Sequence, residues 1–298
     1  MKIIPQELID RWAWTPSKGV PKKEEPKILV PKSFNFSIDD LVSNPQAPFY
    51  SDKKEGDKFV GAPIAFQEAL NYAGEEGIVA NMPFLIAGKS VADKNNYLWK
   101  TWFTCNSEEH CGMKDGIPVI IVVHGGGILT PERIKQAYKD GLTSAHAASL
   151  SSDEWNGLLE GELPNGDKTN LYELSDVKEG KIPEPFGKYA VILPFELAKN
   201  TNSSRHNKTE FMENHLVIAR AGTLEHLDAY FEKAKHSTEN NVGCYHRFNE
   251  VNPAQAQGRL LYLFDYYFGL SGDDYLGNNG RFVGVAPKAH VVRGGRAK

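Results

Sequence analysis

The chain has 298 residues, of which 41% are hydrophobic, and its 34 Lys and Arg against 38 Asp and Glu give a formal net charge of -4. That length buries a full core, and the charge balance excludes a broad basic field for duplex nucleic acid. Three cysteines are too few for a disulfide scaffold, no stretch reaches the roughly 18 apolar residues of a membrane helix, and the opening residues fit neither a secretory nor a transit peptide. A cytoplasmic protein with no membrane partner is the expectation.

Residues 1–58 carry Pro16, Pro21, Pro26, Pro31, Pro45 and Pro48, which interrupt any helix early. They read as an extended N-terminal arm, a candidate surface for homo-oligomer formation. Residues 59–298 read as a single globular domain. Within it, Ile64, Phe66, Ala69, Leu70 and Tyr72 predict a helix over 62–73 stopped at Gly74, and the segments 78–86 and 97–104 read as strands. The apolar run 117–123 is a third strand. Thr130 is an N-cap, Pro131 suits the first helical position, and Ile134, Ala137 and Tyr138 form one stripe ending at Gly141. A further helix starts near Ser152 or Asp153. Segments 189–193, 216–219, 260–264 and 281–285 have strand character, and 224–235 has helical spacing. This alternation predicts an α/β or α+β fold, a single mixed β-sheet with flanking helices.

The main candidate site lies between strand 117–123 and the helix that Thr130 caps: His124, Gly125, Gly126 and Gly127. Three residues without Cβ, followed by a helix start, present backbone N–H groups to a phosphate, a carboxylate or an oxyanion. Gly125, Gly126, Gly127 and Thr130 are therefore the expected binding residues for a small anionic molecule, with His124 orienting it.

Two families share part of this segment. The His-Gly-Gly-Gly turn resembles the oxyanion loop of α/β-hydrolase-fold esterases, but the expected downstream Gly-x-Ser-x-Gly is missing. His124-Gly125, then Ile134, then Gly141-Leu142, resembles the histidine branch of the ADP-ribosyltransferase superfamily. That resemblance implies NAD as cofactor, His124 on its ribose, Tyr189 stacked on the nicotinamide and Glu250 assisting transfer. The leading expectation is thus an intracellular enzyme that transfers ADP-ribose from NAD. A non-catalytic structural or interaction protein is the alternative, and a hydrolase using the turn as an oxyanion hole is the third reading.

Other groupings are Cys105, His110 and Cys111 with the distant Cys244 and His246; the charged set Glu210, Glu213, His215 and Arg220; and the aromatics Trp99, Trp102, Tyr262 and Phe264. Five residues separate Cys105 from Cys111, wider than paired zinc ligands, so buried thiols and no metal are expected. The aromatics offer stacking surfaces for a ring or sugar, or else core packing.

Overall fold

The computed structural model describes residues 36–287 apart from 45–47, 57, 236–238 and 266–267. The part of the predicted arm before residue 36 lies outside the described residues. From there the chain forms helix α1 (Ile38–Val42), strand β1 (Phe49–Ser51) and the short pair β2 (Lys54–Glu55) and β3 (Lys58–Phe59). Ser37 and Asp40 close a capping box on α1, and Leu41 is fully buried in the main core.

Helix α2 (Gly61–Ala73) and strand β4 (Ile78–Val79) follow, and then helix α3 (Met82–Val91) occupies most of what reads from sequence as a strand. Asn81 caps it by accepting from Phe84 N–H, and Pro83 sits in the first turn. The helix is buried nearly all round, so its apolar run has no helical period to betray it. Of the strand expected over 97–104, Tyr97–Trp99 instead form a single 3-10 turn, and strand β5 (Phe103–Lys114) begins only at its end; β5 turns into β6 (Ile117–His124) through Asp115 and Gly116, both at positive φ, as a two-residue hairpin requires.

Next come α4 (Pro131–Asp140), β7 (Ala148–Ser149), α5 (Ser152–Leu159), β8 (Asn170–Glu173), α6 (Leu174–Lys178), β9 (Tyr189–Pro194), α7 (Phe195–Lys199), β10 (Ser204–His206) and α8 (Lys208–Glu213). Helix α9 (His215–Ala221) corrects the strand expected over 216–219. Asn214 accepts from the N–H groups of Leu216 and Val217, and Gly222 ends the helix in the left-handed region. A four-residue apolar run does not separate a buried helix from a strand. The chain ends its described part with α10 (Leu227–Ala234), β11 (Val242–His246), β12 (Gln257–Leu263), β13 (Leu270–Gly272), β14 (Gly280–Phe282) and β15 (Gly284–Val285).

In place of the single sheet expected, one large mixed sheet runs β10-β11-β13-β12-β5-β6-β9-β8, with β7 paired to β12, and the described residues also form the separate pairs β1-β14, β15-β4 and β2-β3. Pairings are antiparallel except β11 with β13 and β8 with β9. Alternate residues of β12 point into different cores: Leu261 and Leu263 join α3, α9 and α10, while Leu260 and Tyr262 join α2 and α4. Both faces of the sheet centre are covered, which explains the unbroken apolar run in β6. On the second face Phe66 stacks on Phe282 with ring centroids 4.5 Å apart.

Lys89 of α3 is the unexpected member of the main core. Its Nζ is fully buried, without a hydrogen-bond partner among the described residues, 5.2 Å, 5.6 Å and 5.7 Å from the ring centroids of Trp99, Phe103 and Phe268. Burial lowers its pKa from 10.5 to about 7, against smaller opposing pulls from Asp265 and Cys105, and with Lys94 adding to the fall. Between those two values the unfolded chain holds the proton and the folded chain does not, so this group makes stability rise as pH climbs from about 7 to 10.5. Lys89→Met is predicted to stabilise the protein at neutral pH by on the order of 3 kcal/mol, with the gain shrinking as pH rises. Urea unfolding of both proteins across this range checks it; a gain independent of pH would contradict it.

Candidate functional site

The loop that reads as an anion site is already occupied by the protein's own carboxylate. Strand β5 places five polar residues in a row, Asn106 to His110, and all are buried. Alternation sends Asn106, Glu108 and His110 to the glycine-loop side. Glu108 Oε1 accepts from Gly127 N–H and Leu129 N–H, both at 3.0 Å, and Oε2 accepts from Ile128 N–H at 2.9 Å. Gly125 N–H and Gly126 N–H go to Asn106 O at 2.9 Å and 3.3 Å. His110 Nε2 meets Glu108 Oε2 at 2.8 Å. Gly125 and Gly126 have φ of 76° and 95°, and a Cβ on Gly127 would fall 2.6 Å from Glu108 Oε2. The glycines let the turn close over an internal carboxylate.

His124 and Tyr189 do come together, paired across β6 and β9 with ring centroids 4.8 Å apart. Both are buried in the core. His124 Nε2 lies 3.0 Å from Ala219 O and Nδ1 lies 2.9 Å from Ser107 Oγ. The carbonyl makes Nε2 the protonated nitrogen, so the Ser107 hydroxyl donates to Nδ1. Burial holds the imidazole neutral, with a pKa lowered to about 4. Tyr189 Oη has no hydrogen-bond partner among the described residues and abuts Gly222, where a Cβ would clash with it. Thr130 caps α4 by accepting from Arg133 N–H at 3.2 Å. Glu250 sits on a different element, a single turn over Phe248–Glu250, where it pairs with Arg247 at 3.1 Å.

Residues on the other side of β5 carry a second buried ionic group. Arg220 of α9 donates from Nε and Nη2 to Glu109 Oε2 at 2.9 Å and 2.8 Å, and from Nη1 to Tyr245 O and Leu270 O. Arg259 donates from Nη1 to Gly272 O at 2.8 Å and from Nη2 to Ala145 O at 3.1 Å. Arg220, grouped from sequence with Glu210, Glu213 and His215, is an internal clamp on β11 and β13. The three cysteines are free and buried, and burial raises each thiol pKa. Among the described residues no set of three His, Cys, Asp or Glu groups could hold a metal ion.

Above that clamp lies an aromatic and arginine-rich face. Tyr50 of β1 pairs with Arg281 of β14, whose guanidinium carbon stands 4.5 Å from the Tyr50 ring centroid and 4.8 Å from that of Trp102. Asn279 Nδ2 donates to Tyr50 Oη at 3.2 Å. In the loop between β13 and β14, Tyr275 packs against His146 with ring centroids 3.9 Å apart and under Arg247 at 4.8 Å. Tyr262 bridges the two halves, touching Trp102 with its ring and the Tyr275 carbonyl with its hydroxyl. Tyr50 and Tyr275 are 41% and 39% exposed, among the most exposed large hydrophobic side chains of the described residues. Sequence reading counted Trp102 and Tyr262 among stacking aromatics but had Tyr50 in the arm. The glycine-rich segment 272–280 beside them was the available signal.

A solved structure described as "Accommodation of massive sequence variation in Nanoarchaeota by the C-type lectin fold" matches this architecture with a TM-score of 0.61 and 25% identity, over 81% of this chain and 99% of that chain. The fold is C-type lectin-like. No family model matches the sequence, and no curated protein matches it significantly. This finding overturns the resemblance to the ADP-ribosyltransferase superfamily, and with it the reading as a transferase using NAD. The shared segment was a strand, a glycine turn and a capped helix, and that arrangement here serves an internal contact.

Glu108→Gln keeps the shape of the side chain but removes its charge and turns one acceptor into a donor facing backbone N–H groups. It is predicted to destabilise the fold by about 2–4 kcal/mol. Equilibrium denaturation measures this, and a loss under about 0.5 kcal/mol, the range of inert surface changes, would contradict the assignment.

Proposed function

We propose that this chain is a non-catalytic binding protein whose C-type lectin-like fold presents the face of Tyr50, Trp102, Tyr275, Arg247, Arg281 and Asn279 to a partner. The observation that carries the reading is the composition of that face. Exposed tyrosines with stacked arginines are the residue types that dominate binding hot spots, because they offer large rigid surface together with a polar edge. The similar Nanoarchaeota structure is described as accommodating massive sequence variation. The root of the loop is held from within, where Arg259 grips the Gly272 carbonyl and Arg220 the Leu270 carbonyl, while Arg247 of the face holds the Asp273 carbonyl.

Two measurements test this. The Tyr50→Ala/Tyr275→Ala protein is predicted to unfold within about 1 kcal/mol of the parent, as expected for exposed side chains. Peptide and glycan microarrays probed with both proteins are predicted to show spots bound by the parent and lost in the variant. Silence of the parent on both arrays, or spots retained by the variant, would contradict the assignment.

A further inference from the structure

A cleft lies away from the glycine turn, and lysines outnumber acids in its lining three to one. It has a volume of about 570 Å³ and is bounded by the segment leading into β2, the first turn of α2 and the outer side of α4. Lys135 and Lys139 stand one helical turn apart on α4, so they share a face, and Lys53 converges on the same cleft. Val60, Pro63 and Ile64 form an apolar wall, and Glu55 is the acid among the lining residues. The ring of Tyr138 completes the lining, held in place because its hydroxyl donates to Leu276 O at 2.7 Å.

The three ammonium groups differ from many lysines elsewhere on the surface. Lys168, Lys181, Lys188 and Lys208 are each paired with a carboxylate. Lys53, Lys135 and Lys139 have no ion-pair partner among the described residues. In a chain of net charge -4, three unpaired cations around one concavity create a local positive potential that the whole molecule lacks. The volume falls within the range of small-molecule sites.

We infer that this cleft binds an amphipathic anion, a phosphomonoester whose dianionic head is held by Lys53, Lys135 and Lys139 and whose apolar body lies on Val60, Pro63, Ile64 and the Tyr138 ring. A lysine acts as a compact point charge with no demand for planar, two-pronged geometry, which suits a tetrahedral phosphate. The apolar wall gives the organic part of the ligand a surface that inorganic phosphate does not use. The cleft shares no lining residue with the aromatic face.

Isothermal titration calorimetry with naphthyl phosphate tests the assignment, alongside inorganic phosphate and naphthol. Naphthyl phosphate is expected to bind more tightly than either, and to weaken as salt is raised. Lys135→Ala/Lys139→Ala is expected to weaken it by about tenfold, with an unchanged unfolding midpoint because both side chains are exposed. Sedimentation with phosphatidic acid vesicles separates two sources of the same chemistry: retention assigns a lipid headgroup, and binding of naphthyl phosphate without retention assigns a soluble phosphomonoester. Absence of heat with naphthyl phosphate at low ionic strength, or equal affinity in the double variant, would overturn the inference. Loss of microarray binding in the tyrosine variant would leave this titration unaffected, so the two readings fail separately.

Discussion

Glu108 is the constraint around which the centre of the molecule is arranged. A carboxylate buried in the middle of a sheet is tolerated only when its lone pairs are satisfied. Here three successive backbone N–H groups and one imidazole meet it. Satisfying Glu108 in turn requires a turn free of Cβ atoms at Gly127 and a backbone at positive φ in Gly125 and Gly126. The glycine triplet, the capped start of α4 and the polar run of β5 are thus one device. It ties the end of β6 to its neighbour at the point where the chain leaves the sheet.

The opposite side of the same strand repeats the logic. Glu109 binds Arg220, and Arg220 and Arg259 pass the constraint to the carbonyls of Tyr245, Leu270 and Gly272. These bonds lie beneath the loop that carries Tyr275. Strand β13, which leads into this loop, is therefore fixed from inside by buried guanidinium groups, and Arg247 of the face adds a bond from its Nε to Asp273 O. The loop is thus rooted in a buried strand while Tyr275 within it stays partly exposed, the arrangement of display on a rigid support.

Much of the architecture was legible in the residues. The period of Ile134, Ala137 and Tyr138 with Thr130 and Gly141 at its ends marks α4, and the apolar run of β6 marks a strand covered on both faces. The segments now seen as α3 and α9 were misread because a fully buried helix has no polar face to set its period. Five consecutive polar residues in β5 hid a central strand, since charge alone suggests surface until its partners are known. The glycine turn was legible as a place where amides gather, but not what they meet. The turn does attract an anion, and His124 does meet Tyr189, but the anion is a side chain 16 to 19 positions upstream of the turn residues. Local spacing carries no information about a contact made across two strands. The face of Tyr50 and Arg281 joins residues more than 200 positions apart, and only the β1 to β14 pairing brings them together.

The internal occupation of the amide nest is best tested where it is made. Native-state hydrogen exchange followed by NMR resolves the amides of Gly127, Ile128 and Leu129 individually. These three are predicted to exchange only through unfolding of the domain, as slowly as the central amides of β6. Rapid exchange of all three under conditions where β6 remains protected would mean that the carboxylate of Glu108 does not hold them, and would contradict the account.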